Sequence, residues 1–62
     1  MTKAAELREL SADELRGREH DLQDEVFRLR IRSAMGEVEA QGKLRATRHD
    51  LARVKTLIRE KQ

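Results

Sequence analysis

At 62 residues the chain makes at most one small domain, and folding leaves much of its surface in water. Hydrophobic residues are 37% and charged residues 42%, with Phe27 the one aromatic, which excludes a globular core built on large side chains. There is no cysteine, so neither a disulfide nor a thiolate metal site can hold the fold together, and the net charge of +2 conceals a strong asymmetry.

Residues 1–27 carry four basic and eight acidic side chains, whereas residues 28–62 carry ten basic and four acidic. Self-contained helices usually intersperse the two signs, so this segregation points to a polyanion partner for the second half. The chain has no proline and only three glycines, and Ala, Leu, Glu, Arg and Lys dominate. Turn chemistry for a sandwich or barrel is lacking, and an all-α fold is predicted.

The first ten residues contain two basic and two acidic side chains and no apolar run, which does not match a signal peptide. Residues 2–9 are expected to form a short helical turn, with Leu7 and Leu10 available to fold against the main hairpin. Ser11-Ala12-Asp13-Glu14 is an S-x-x-E capping box, and Leu10 and Leu15 fall at the two positions of a hydrophobic staple. The first long helix is predicted over about 12–35, roughly 36 Å at 1.5 Å per residue. Leu15, Leu22 and Leu29 recur at seven-residue spacing with Val26 between the last two, giving one apolar seam. Gly17 lies off that seam and costs about 1 kcal/mol relative to Ala; the sequence offers no reason for it.

Gly36 is the expected stop of this helix, and residues 36–42 are the expected connection, a length that suits antiparallel neighbours. The second long helix is predicted over about 43–60. Leu44, Leu51 and Ile58 repeat the seven-residue spacing, with Val54 and Leu57 beside them. Folding back at the glycines sets Leu29 near Leu44, Leu22 near Leu51 and Leu15 near Ile58, so a single antiparallel two-helix hairpin over 1–62, preceded by the short turn, buries both seams. One seam is a thin core, and part of the stability is expected to come from a partner.

Opposite the seam of the second helix lies a stripe of Arg45, Arg48, His49, Ala52, Lys55, Thr56 and Arg59, with no acid among them. Ala52 and Thr56 at its centre are small enough for a phosphate backbone to approach, and arginine's planar fork binds phosphate bidentately. Most charged helix faces are merely solvated. Such a face mixes its signs, as Arg18 with Glu19, Asp21, Asp24 and Glu25 does, so the unmixed stripe favours polyanion binding. Arg28, Arg30 and Arg32 form a second basic group at the end of the first helix. Cations complement a helix C-terminus, but three exceed that need, and Arg30 and Arg32 are candidate nucleic-acid contacts near the hairpin tip.

His20 and Asp24 are four apart and could face a metal, yet no second pair converges on them, and a solvated face is the reading. No cysteine nucleophile exists and neither serine sits near a His and a carboxylate, so no enzyme, cofactor or small-molecule substrate is expected. No stretch approaches the roughly 20 apolar residues of a membrane span, and a cytoplasmic location is the expectation. Phe27, Ile31 and Met35 follow at four-residue intervals away from the leucine seam. They are either a widened core stripe covered by the N-terminal turn or an exposed strip for a neighbouring protein.

The segment Arg48-His49-Asp50-Leu51-Ala52-Arg53-Val54-Lys55-Thr56 is similar to the R-R-x-I-A-R-x-x-T signature of bacterial large-subunit ribosomal protein twenty-nine. Glu6-Leu7-Arg8 before the capped Ser11–Leu15, Phe27-x-Leu29-Arg30, and Gly36 at the helix end extend the resemblance along nearly the whole chain. It implies a helical hairpin bound to large-subunit rRNA near the polypeptide exit tunnel, beside large-subunit protein twenty-three and close to factors that meet nascent chains. It also adds Arg53, at the margin of the stripe, to the candidate RNA contacts. His49 stands where the family usually has arginine, Arg32 where glutamine is common, and Glu37 and Glu39 make the connection acidic. From the residues alone, the competing reading is a coiled-coil adaptor whose seam recruits a second helical chain.

Overall fold

The structure is a computed structural model that describes residues 4–61, with the side chains described from Glu6 onward. Helix α1 spans Ala4–Arg8, α2 Ala12–Ala34 and α3 Val38–Glu60, and α2 and α3 pack antiparallel along an elongated body of 39 × 17 × 13 Å.

The start of α2 is set by its cap. Ser11 is extended, and its hydroxyl accepts the Glu14 backbone N–H at 3.2 Å, satisfying one of the donors that a helix start leaves orphaned. The Glu14 carboxylate accepts the Ser11 hydroxyl proton at 3.1 Å, where a full capping box would have it reach back to the Ser11 backbone. Leu10 is half-buried and Leu15 fully buried in the same cluster, as the staple requires.

The chain ends α2 and reverses in three residues. The Glu37 N–H bonds the Arg32 carbonyl at 3.2 Å and the Gly36 N–H bonds the Ser33 carbonyl at 3.0 Å, the paired bonds of a Schellman motif. Gly36 supplies the left-handed backbone at φ 94°. Where such motifs often place an apolar contact, an Arg32–Glu37 ion pair at 2.8 Å ties the same two positions together.

Because the reversal is so compact, α3 begins at Val38 and not near Lys43. Gly42, expected to close the connection, lies inside the helix. Its cost there is met by Glu39, Ala40 and Gln41, good helix formers, and by the complete burial of Ala40.

Ala12, Leu15, Glu19, Leu22, Val26, Leu29 and Ser33 on α2 are all buried or half-buried. So are Ala40, Leu44, Thr47, Leu51, Val54 and Ile58 on α3. Spacings of three and four alternate along both sets, the signature of a coiled-coil seam. Large side chains concentrate at the open end of the hairpin. There Leu15, Val54, Leu57 and Ile58 form the main cluster, and Leu7 of α1 completes it. The Lys61 ammonium donates to the carbonyl of Arg8, the last residue of α1, at 2.9 Å and closes this end. Leu15 and Ile58 thus meet as the spacing predicts, and Leu22 packs against the same cluster.

Candidate nucleic-acid interface

The seam turns the opposite side of α3 to solvent. Arg45, Arg48, His49, Ala52, Lys55, Thr56 and Arg59 are all exposed. The Thr56 hydroxyl donates to the Ala52 carbonyl at 3.0 Å, which keeps the centre of the face low. Among the described residues none of Arg45, Arg48, Lys55 and Arg59 forms an ion pair. Arg53, at the margin, reaches Asp50 only at 4.0 Å. Arg45, Arg48, Lys55 and Arg59 are therefore available to an external anion, with no internal partner among the described residues to displace. Gln41, Leu44, Arg45, Arg48 and His49 line an open groove at the tip-proximal half of this face.

The arginines of α2 are differently placed. Arg16 pairs with Asp13 at 3.4 Å and Arg32 with Glu37, so Arg32, a candidate RNA contact, already has an anion. Arg28 and Arg32 line a groove with Asp21, Asp24 and Glu25, and Arg18 lines another with Asp21, Glu25 and Asp50. Arg30 is exposed and, among the described residues, unpaired. By its heptad position it projects on the flank that also carries Arg48 and Lys55. The group at the end of the first helix thus divides, with Arg30 beside the α3 face and the other two among carboxylates.

The apolar strip stands in solvent: Phe27 is 65% exposed, Ile31 46% and Met35 76%. The alternative in which the N-terminal turn covers it is not what the structure shows, since α1 packs at the far end of the hairpin against Val54 and Leu57. Val38, 80% exposed, adds to the apolar surface at the tip. Sequence reasoning misses it because the position falls within the expected connection. It misses Arg8 as well: this residue lines a groove with His49, Ala52, Arg53, Thr56, Leu57 and Glu60, a juxtaposition of residues far apart in the chain that no local pattern announces. His20 Nε2 stands 3.6 Å from Asp24 Oδ2 in the open, and among the described residues no three His, Cys, Asp or Glu side chains are placed to hold a metal ion. No helix among them is long and apolar enough to cross a membrane.

A thin hairpin with open grooves and a face of exposed cations, four of them without ion pairs among the described residues, has the form of a structural element. The comparisons with known proteins give that class its identity: the Ribosomal L29 protein family model matches residues 5–61, and the chain belongs to this family. The chain is 46% identical to the large ribosomal subunit protein uL29 of Streptomyces avermitilis over 61 residues, covering 98% of this chain and 82% of the relative. It is 48% identical to that of Syntrophus aciditrophicus, covering 95% and 91%, and 48% identical to that of Cutibacterium acnes, covering 94% and 75%. No solved structure matches it. The family is one of structural ribosomal proteins, not enzymes, and its bacterial members work in the cytoplasmic ribosome.

Proposed function

We propose that this chain is a structural constituent of the large ribosomal subunit that holds rRNA on the outer face of α3, close to the polypeptide exit tunnel. Arg45, Arg48, Arg53, Lys55 and Arg59 contact phosphates and sugars, with His49 and Thr56 between them and Arg30 at the flank. The observation that carries this reading is the exposure of these side chains, four of them without ion pairs among the described residues, around the small Ala52 and Thr56. Such contacts neutralise repulsion where RNA segments pack together and position the protein without reading bases. Arg32 contributes only if RNA displaces Glu37. The strip of Phe27, Ile31 and Met35, extended by Val38, faces a neighbouring protein, for which large-subunit protein twenty-three is the candidate the family resemblance supplies; factors that meet nascent chains are a second. The packing of the leucine seam, buried or half-buried within the hairpin itself, weighs against the adaptor reading.

The test is binding to a large-subunit rRNA fragment at several salt concentrations. Arg48→Ala or Lys55→Ala should lower the slope of log affinity against log salt by about 0.7–0.9 each, the counterions of one phosphate contact. Arg18→Ala, set among Asp21, Glu25 and Asp50, should leave it unchanged. Equal losses for Arg18→Ala and Arg48→Ala would show the face assignment to be wrong.

A further inference from the structure

We infer that the cleft between α1 and α3 seats one RNA backbone phosphate, with Arg8 as a contact residue supplied by the N-terminal helix. This rests on the proposed RNA-binding face and adds to it an element outside α3.

Arg8, His49 and Arg53 line one groove whose remaining wall includes Ala52, Thr56 and Leu57. The three nitrogen-bearing side chains are all exposed, come from two helices, and share the groove with the small Ala52 and Thr56. Two arginine forks on one groove suit the tetrahedral oxygens of a phosphodiester, which accept from several directions at once. Glu60 is the one carboxylate on the groove. Asp50, which does not line the groove, pairs with Arg53 only at 4.0 Å, so the two arginines and His49 outnumber the acids there.

Arg8 is held there by two independent anchors. Leu7 beside it is 2% exposed, locked into the cluster with Leu15, Val54, Leu57 and Ile58. On the other side, Lys61 donates to the Arg8 carbonyl at 2.9 Å and fixes the end of α1 against the end of α3. A five-residue helix has no stability of its own, so these anchors hold the Arg8 backbone beside α3. The chain therefore has a reason to bury Leu7 beyond enlarging the core: it brings a cation from the acidic half of the sequence to the basic face.

The experiment uses the full chain and the same rRNA fragment at several salt concentrations, with Arg8→Ala, Lys61→Met, their combination, and Arg48→Ala as reference. Lys61 is exposed and outside the core, so its replacement leaves the hairpin folded, which circular dichroism verifies. Arg8→Ala should reduce affinity roughly tenfold and flatten the salt slope by about 0.7–0.9. Lys61→Met should weaken binding in the wild-type background and much less in the Arg8→Ala background, because its action is to hold Arg8. If Arg8→Ala is silent while Arg48→Ala weakens binding, the cleft proposal fails and the α3 face stands. An equal loss from Lys61→Met in both backgrounds overturns it too, since Lys61 would then act through its own charge. Silence of both Arg8→Ala and Arg48→Ala would remove the α3 face, and the cleft with it.

Discussion

Leu15→Ala removes three carbons from a side chain that is fully buried where α1, α2 and α3 meet. At about 0.8 kcal/mol per buried methylene the transfer loss alone is roughly 2.4 kcal/mol, and the cavity left among Leu7, Val54, Leu57 and Ile58 brings the cost to about 3–5 kcal/mol. A single core in a chain of this size supplies only about 3–5 kcal/mol in total. The variant should therefore be close to half unfolded at 25 °C, with its melting temperature lowered by at least about 12 °C. Phe27→Ala deletes a larger side chain, but one standing in solvent, and should change stability by less than about 0.5 kcal/mol. Thermal melts followed by circular dichroism, with and without the rRNA fragment, measure both. Bound RNA should recover much of the Leu15→Ala loss, because a ligand of the folded state stabilises it by mass action. A Leu15→Ala melt within a few degrees of wild type, or a Phe27→Ala loss as large as that of Leu15→Ala, would refute the assignment of the core to this seam. A cooperative melt of the wild type above about 90 °C without RNA would refute the thinness of that core.

Two glycines should respond in opposite directions. Gly17 lies inside α2, and a methyl group there meets nothing within 4 Å; Gly17→Ala should stabilise the chain by up to about 1 kcal/mol, read as a higher melting temperature. Gly36→Ala meets no atom either, but it forces an L-residue to φ 94°. A loss of about 1–2 kcal/mol is expected, with frayed amides at the hairpin tip in hydrogen exchange.

The leucine repeats make the hairpin legible because large apolar residues at seven-residue spacing have few other uses on a helix. Five of the thirteen seam positions are silent for the complementary reason. Ala12, Glu19 and Ser33 on α2, and Ala40 and Thr47 on α3, occupy the second row of the same seam without being large or, in most cases, apolar. Small residues near the tip let two helices converge into a three-residue reversal, and that need is set by tertiary packing, not by local propensity. The silence of Ala40 is what shifts the expected start of the second helix by five residues. The exposed stripe is readable because acid-free spacing is a local pattern. The engagement of Arg32 by Glu37 depends on the Schellman turn, and the approach of Arg8 to His49 and Arg53 depends on how α1 docks. Neither can be read from spacing along one helix.

Antiparallel folding also gives the charge asymmetry a spatial meaning. Had the acidic and basic halves continued as one straight helix, the segregation would have run end to end, and an RNA surface would have met the molecule along its length with both signs in reach. The hairpin lays most of the acidic half, on α2, beside the basic α3 across a body only 17 Å wide, while Arg28, Arg30 and Arg32 of the basic half stay on the last turns of α2. Each long helix spends one stripe on the seam, and its outer surface keeps its own charge. On the proposed reading, phosphates attract the α3 face and are repelled by the carboxylates of α2. These include Asp21, Asp24 and Glu25, which line grooves shared with Lys43 and Asp50 of α3. The protein can then settle on RNA in one rotational orientation with few base contacts. That same orientation turns Phe27 and Ile31, on the outer surface of α2, away from the RNA and toward whatever protein stands next to it. A hairpin with a core too thin for great stability of its own is thereby suited to acting as a spacer with two unlike sides.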